Sequence, residues 1–423
     1  MTEGTPTIGA VATPEIERRA RWVLDTLGAR DAAVDDFPCR AAAWRDVEAG
    51  RRPDGDELAA AFFDLARLEE AAGPRDRHGR FPASATSLDL LNPPLERLRE
   101  RLGIEPPRWR GARFAMALTH DVDVPWRWTR VGLRGGVSRV KAGVLGRSAN
   151  TAFRELRALA GVPVHKLRGT DPNWRFEEIL AAEREAGARS TFFLMAGHRH
   201  RADGPSPAAY DRLRPRLVEV LTSGGAEVGL HGSYTAAEDA AVLAAEKSAL
   251  ERLGARVEGQ RYHYLRVDPH ANLAPVAEAG FRYDSTLGFA DAVGFRAGIA
   301  QPFRPWSLAA DRPLDLVEVP LALMDVTLAE ERYLGLSADE SRRHIESLLD
   351  GAAERGGGFA VLWHTDRFDR GTARGWDRLY DELLAGVRAR GGVCVSAGEL
   401  AEEAAAWLGP LDRFTPAGPG RAS

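Results

Sequence analysis

The chain has 423 residues, 44% of them hydrophobic, enough apolar material for two packed domains, which excludes disorder as its main state. Its 57 Lys and Arg against 61 Asp and Glu give a formal charge of −4, so the surface as a whole offers nucleic acid no general attraction. Two cysteines, Cys39 and Cys394, exclude a disulfide framework and a Cys-rich zinc module, so a metal here needs His and Asp.

The first residues lack a positive segment followed by the run of roughly ten apolar residues that marks a secretory signal. No stretch approaches the ~20 apolar residues of a membrane-spanning helix. The expectation is a cytoplasmic protein whose membrane contact is peripheral, at the inner face.

From Pro14 to about Leu102 the pattern is helical, with apolar residues at helical spacing through Asp56–Glu70. Pro93-Pro94 and Pro106-Pro107 break the chain on both sides of a short helix over Leu95–Leu102. Residues 1–108 therefore read as a small, mostly helical module.

Beyond it, short apolar runs alternate with amphipathic stretches. The predicted strands are Phe114–Leu118, Thr191–Leu194, Ala226–Leu230, Tyr262–Leu265, Leu316–Val319, Phe359–Trp363 and Val393–Val395. The predicted helices are Trp174–Gly187, Ala236–Gly254, Ser337–Glu354, Trp376–Arg390 and Glu399–Leu408. This alternation over residues 109–408 implies a parallel α/β architecture, either a barrel or an open doubly wound sheet. Residues 409–423, with three prolines and three glycines, read as a flexible tail.

One segment interrupts the rhythm. Arg127–Arg168 carries ten Lys and Arg against a single acid, Glu155, with Val131, Leu133, Val137, Val140, Val144 and Leu145 interleaved. Such a basic insertion, 127–168, can lie on an anionic membrane surface or meet a phosphate- or lipid-linked substrate, and its plainer reading is a solvated insertion.

The chemistry-bearing residues gather at strand ends. Thr119-His120-Asp121-Val122-Asp123 closes the first strand, and its two carboxylates at i and i+2 project to one side of an extended chain. Later strands bring His231, then Arg261, His263 and Tyr264, then His364 and Asp366. The C-terminal ends of parallel strands are where α/β barrels keep their sites, and these groups are the ingredients of a mononuclear metal site with an acid and a base beside it.

At these residues the sequence resembles the polysaccharide deacetylase family, with its NodB homology domain, in a divergent subgroup that carries an N-terminal module with a segment like Asp76–Phe81. The resemblance covers roughly residues 109–408 and implies a distorted (β/α) barrel of seven to eight strands. It implies a metal-dependent carbohydrate N-deacetylase with one divalent ion, Zn²⁺ being the usual choice. Asp121 matches the family's catalytic base, Asp123 and His231 its metal ligands, and Arg261 the cation paired with the base. Tyr264 matches the residue whose backbone amide serves the oxyanion, and His364 the acid.

Two departures stand out. The family's second ligand His, four residues after the first, is Thr235 here, and His263 stands where the third motif has Pro. His263 is therefore expected to supply the missing imidazole, with His120, His198, His200 and Asp239 as other candidates. Tyr234, Trp363 and Arg266 are expected at the substrate by adjacency. The alternative function is a catalytically inactive, deacetylase-like glycan-binding or scaffold protein, and nucleic acid is not an expected partner.

Overall fold

A computed structural model describes residues 13–37, 39–146, 149–197, 200–204, 208–371 and 373–414. Its organising strand is β1 (Phe114–Val122), buried along all nine residues. An apolar run buried on both faces suits a parallel sheet flanked by helices. β1 pairs in parallel with β10 (Gly357–Leu362) on one side. On the other it takes β11 (Val393–Val395) along its first half and β2 (Ser190–Leu194) along its second.

The sheet continues from β2 through β3 (Glu227–Gly232), β4 (Gly259–Tyr262) and β5 (Tyr283–Asp284) to β8 (Val317–Glu318), and from β10 to β9 (Leu321–Met324). β8 and β9 belong to one stretch of chain. Val319 N donates to Asp284 O and Ala360 N donates to Pro320 O, so residues 317–324 join the two sheet edges and give the expected distorted barrel. β6 (Trp306–Ser307) and β7 (Arg312–Pro313) form a separate antiparallel pair.

The helical N-terminal segment comprises α1 (Pro14–Leu27), α2 (Ala41–Glu48), α3 (Glu57–Leu65) and α4 (Pro94–Arg101). α1 starts because Thr13 accepts a hydrogen bond from Ile16 N and Pro14 presets the first turn, and it stops at Gly28 in the left-handed region. Trp22 and Phe62 pack against Trp306, which makes the module's core continuous with that of the barrel. A buried ion cluster reinforces the seam. Glu70 accepts from Arg296 Nη2 at 2.6 Å and Nε at 2.9 Å and from Arg67 Nε at 2.8 Å.

The structure corrects several expectations. β4 ends at Tyr262, and His263–Leu265 is a one-turn 3₁₀ segment rather than strand. The helix Ala208–Ser223 was not expected, because Pro215 in its middle reads as a breaker. The basic insertion is helical: α5 (Arg130–Leu145), α6 (Ala149–Ala160) and α7 (Val162–Arg168). The tail is not free from Gly409 onward, because Asp412–Phe414 forms a turn that buries Phe414 against Trp306. Residues 415–423 lie outside the described residues.

Burial alone would raise the carboxyl pKa of Glu70, but Arg296 and Arg67 outweigh it and hold it at about 2 against 4.5. The lowered value means that this group's contribution is complete above pH 4.5 and drains away as pH falls toward 2. Glu70→Gln, which takes the carboxylate from the buried Arg296 and leaves Arg67 with Glu69 alone, should cost about 3–5 kcal/mol at neutral pH. The gap in urea midpoint between wild type and variant, followed by circular dichroism, should narrow as pH drops through that window.

Candidate metal centre

Four strand ends meet at one cleft. Alternation along β1 sends Asp121 and Asp123 to one side and His120 to the other. β3 ends in His231, whose Nδ1 donates to Arg261 O at 2.9 Å and leaves Nε2 facing the two carboxylates, 3.3 Å from Asp123 Oδ1 and 3.6 Å from Asp121 Oδ2. Where β4 ends, Tyr264 takes φ 63° and Leu265 φ 52°, a left-handed turn that non-glycine residues rarely adopt. This turn carries His263 to the cleft, with Nε2 3.8 Å from Asp123 Oδ2. Ligand atoms of Asp123, His231 and His263 lie within 4.8 Å of one another.

Asp203 fixes the orientation of His263 by accepting from its Nδ1 at 3.0 Å, a carboxylate–histidine arrangement that directs Nε2 outward. The three groups fit a divalent cation on a further ground. Asp123 Oδ1 is shut off from solvent yet accepts no hydrogen bond, an expensive state for a carboxylate oxygen without a cation. Burial works to raise the pKa of Asp123, but His263, His231 and His364 hold it well below the usual carboxylate range. Thr235 stays outside this cluster, and its carbonyl accepts from Glu238 N and Asp239 N in the following turn.

Asp121 is gripped by Arg261. That guanidinium is fully buried, lies over the Phe193 ring at 4.6 Å, and reaches Asp121 Oδ1 at 3.0 Å and Thr119 Oγ1 at 2.8 Å. Its other nitrogens donate to Ser285 O at 2.7 Å and Ser285 Oγ at 2.9 Å. Across the cleft, His364 Nδ1 donates to Asp325 Oδ1 at 2.7 Å, and its Nε2 lies 3.8 Å from Asp123 Oδ2. Burial disfavours the His364 cation, but Asp325, with help from Asp123 and Asp121, overrides this and raises its pKa to about 10.

The cleft is small, about 120 Å³, and is lined by these groups together with Tyr264, Leu265, Met324, Val326, Tyr333, Arg332 and Arg80. Arg80 comes from the N-terminal segment. It is held by Asp76, donates to Tyr264 O at 2.9 Å, and so braces the left-handed turn while His78 stacks on the Tyr264 ring at 4.5 Å. A larger cavity, about 780 Å³, opens beside Glu227, Glu258 and Val317 at the opposite, N-terminal end of the strands. It lacks the imidazoles, and barrels place their chemistry at the other end.

Several expected residues serve elsewhere. Trp363 is fully buried against Trp376 and Tyr380, because it precedes His364 by one position and points into the helix layer. Arg266 lies outside the cleft and is spent on His78 O, Tyr234 O and Glu238. Tyr234 sits between Arg266 and His200 behind Tyr264, off the cleft lining. His120 bonds Trp363 O and Glu183 on the far face of β1, His200 caps the turn at Ala202, and Asp239 caps the helix Ala240–Glu251. His198 lies outside the described residues. Asp325, Asp203 and Arg80 were not anticipated. Asp325 had a signal, since Leu321–Met324 is an apolar run ending in an acid like the others, whereas Asp203 follows no strand pattern.

No protein-family model and no curated protein matches the chain. Solved structures do. One is a Mycobacterium smegmatis protein described as a polysaccharide deacetylase, 21% identical, covering 75% of this chain and 98% of its own, with a TM-score of 0.47. A Pseudomonas aeruginosa protein with the same description is 15% identical over 70% and 93%, at 0.46. The Puue allantoinase is 16% identical over 71% and 94%, also at 0.46. Polysaccharide deacetylases thus stand among its structural matches.

His263→Ala and Asp123→Ala should each lose a bound divalent ion when zinc-loaded protein is assayed by elemental analysis. Asp203→Asn, which removes only the carboxylate behind His263, should weaken zinc affinity by roughly 10- to 100-fold.

Proposed function

We propose that the chain is a metal-dependent hydrolase that removes N-acetyl groups from an amino-sugar-containing carbohydrate. The observation that carries this reading is the pairing of opposites at one cluster. A carboxylate gripped by a buried cation, Asp121, and a protonated imidazole, His364, each lie within 4 Å of a member of the same candidate ligand set. Amide hydrolysis needs both, because water must lose a proton to attack and an amine must gain one to leave.

A divalent cation such as Zn²⁺, held by Asp123, His231 and His263, would polarise the acyl carbonyl and acidify the attacking water. Asp121 accepts the proton of that water, and Arg261 keeps its carboxylate in register. The oxyanion that develops at the carbonyl meets the backbone N–H of Tyr264, held at the rim by Arg80 and His78. His364, kept protonated by Asp325, delivers its proton to the departing nitrogen, and acetate and a free amine result. A cleft of about 120 Å³ admits an acyl group but not a sugar ring with its neighbours, so the carbohydrate lies across the rim beside Tyr264 and Tyr333.

The direct experiment is acetate release from N-acetylated amino sugars and their oligomers by zinc-loaded and chelated protein. Asp121→Asn should lower turnover by roughly 10² to 10⁴ while zinc content stays the same. Zinc bound without acetate release from any of them would instead favour a glycan-binding role.

Asp325→Asn gives a second check. Without the partner that lifts the His364 pKa to about 10, the proton donor is lost at lower pH. The alkaline limb of kcat/KM should move down toward the ~6.5 of a free imidazole.

A further inference from the structure

The helical insertion is built inside out. Where α5 and α6 meet, the contacts are small: a Cβ on Gly143 would strike Ala152 at 2.8–3.1 Å, and one on Gly136 would meet Leu159 at 3.1 Å. The charge at that seam is also internal, with Glu155 accepting from Arg127 at 3.0 Å and pairing with Arg139 at 3.1 Å. Most of the large apolar side chains are left outside. Of the ten exposed large hydrophobics among the described residues, seven fall in this short segment, including Leu167 at 89%, Leu145 at 83%, Val144 at 66% and Phe153 at 65%. A surface helix ordinarily turns such residues to the core.

Cations share these outward faces. Phe153, Leu156 and Arg157 follow helical spacing on α6, as do Val137, Lys141 and Val144 on α5 and Val164, Leu167 and Arg168 on α7. Among the described residues, Arg130, Arg134, Lys141, Arg157, Lys166 and Arg168 pair with no carboxylate. The one acid of the segment is already consumed inside.

We propose that α5–α7 is a docking element for the surface of an anionic lipid bilayer. A bilayer surface satisfies both halves of the pattern, taking apolar side chains to acyl depth while the neighbouring cations meet lipid phosphates. A nucleic acid would reward the cations but leave Phe153, Leu156 and Leu167 in water. A second copy of this chain would bring like charge against like charge. Among the described residues no helix is long and apolar enough to cross a membrane, so the proposed contact is one of lying on the surface.

The element is rooted beside the cleft. Arg127 N and Trp128 N donate to Asp171, and Asn173 Nδ2 donates to Val124 O, next to Asp123. Arg127 Nη1 also reaches Asp369 at 2.9 Å, in the loop that follows His364. Docking therefore presents the site end of the barrel to the bilayer. The proposal stands on the insertion alone and does not depend on which reaction the cleft performs.

The test is co-sedimentation of the full chain with vesicles of phosphatidylcholine alone or mixed with phosphatidylglycerol, at low and high salt. Binding is expected to the mixed vesicles, weaker in high salt and absent from phosphatidylcholine alone. The double variants Phe153→Ser/Leu156→Ser and Lys141→Glu/Arg157→Glu should each lower partitioning at least about tenfold, with unchanged thermal melting and an unchanged circular dichroism spectrum. Wild type remaining in the supernatant with mixed vesicles at low salt would overturn the proposal, as would equal binding to both vesicle types. Elution as a dimer that the serine variant dissociates would assign the face to a second copy instead.

Discussion

Arg261 is a full positive charge with no access to water, and the site is arranged around satisfying it. A buried guanidinium is tolerated only when its donors find acceptors, and here they are spread over three elements: Asp121 and Thr119 on β1, Ser285 after β5, and the face of Phe193 on β2. The backbone carbonyl of the same residue orients His231. Ser285 in turn donates to Val319 O, in the stretch that joins the two sheet edges. Asp121, the candidate ligand His231 and barrel closure are thus registered to one residue. Lysine could not replace it, since a single ammonium cannot reach Thr119, Asp121 and Ser285 at once.

The candidate ligand set draws its two imidazoles from neighbouring strand ends rather than from one turn. A ligand four residues beyond His231 would come from the same turn, and that turn ends in Thr235. His263 instead sits on the neighbouring strand end, where the two left-handed residues that follow it leave its ring facing Asp123. Such residues cost about 1–2 kcal/mol each and persist only when the surroundings hold them. Arg80 and His78 do so from the N-terminal segment, which makes that segment part of the cleft's architecture although it contributes no candidate ligand.

Much of this was legible in the sequence because buried parallel strands announce themselves as apolar runs, and the polar residues that end them are conspicuous. Asp121, Asp123, His231, His263 and His364 were all marked this way and do converge. What escaped notice was of two kinds. β5, with two residues, is too short to carry a period, and the run Leu321–Met324 before Asp325 follows the predicted strand Leu316–Val319 so closely that it does not stand out as a strand of its own. Contacts made across the fold, such as Asp203 to His263 over 60 residues and Arg80 to Tyr264 over 184, leave no trace in local pattern. Trp363 misled because adjacency along a strand means opposite faces, and the glycines of α5 hid a helix by serving its close packing against α6.

The position of β1 has a consequence for how the chain comes to be folded. It is the earliest strand of the barrel, yet the partners that flank its first half are β10 and β11, which lie some 240 to 280 residues later. At about 5 to 20 residues per second, a ribosome needs roughly 10 to 60 seconds to deliver them. For that interval the backbone of Phe114–Ala117, the most apolar part of the strand, has emerged without its neighbours. The nascent chain therefore depends on chaperone cover, or on temporary shelter from the N-terminal helices made before it, until the last strand arrives.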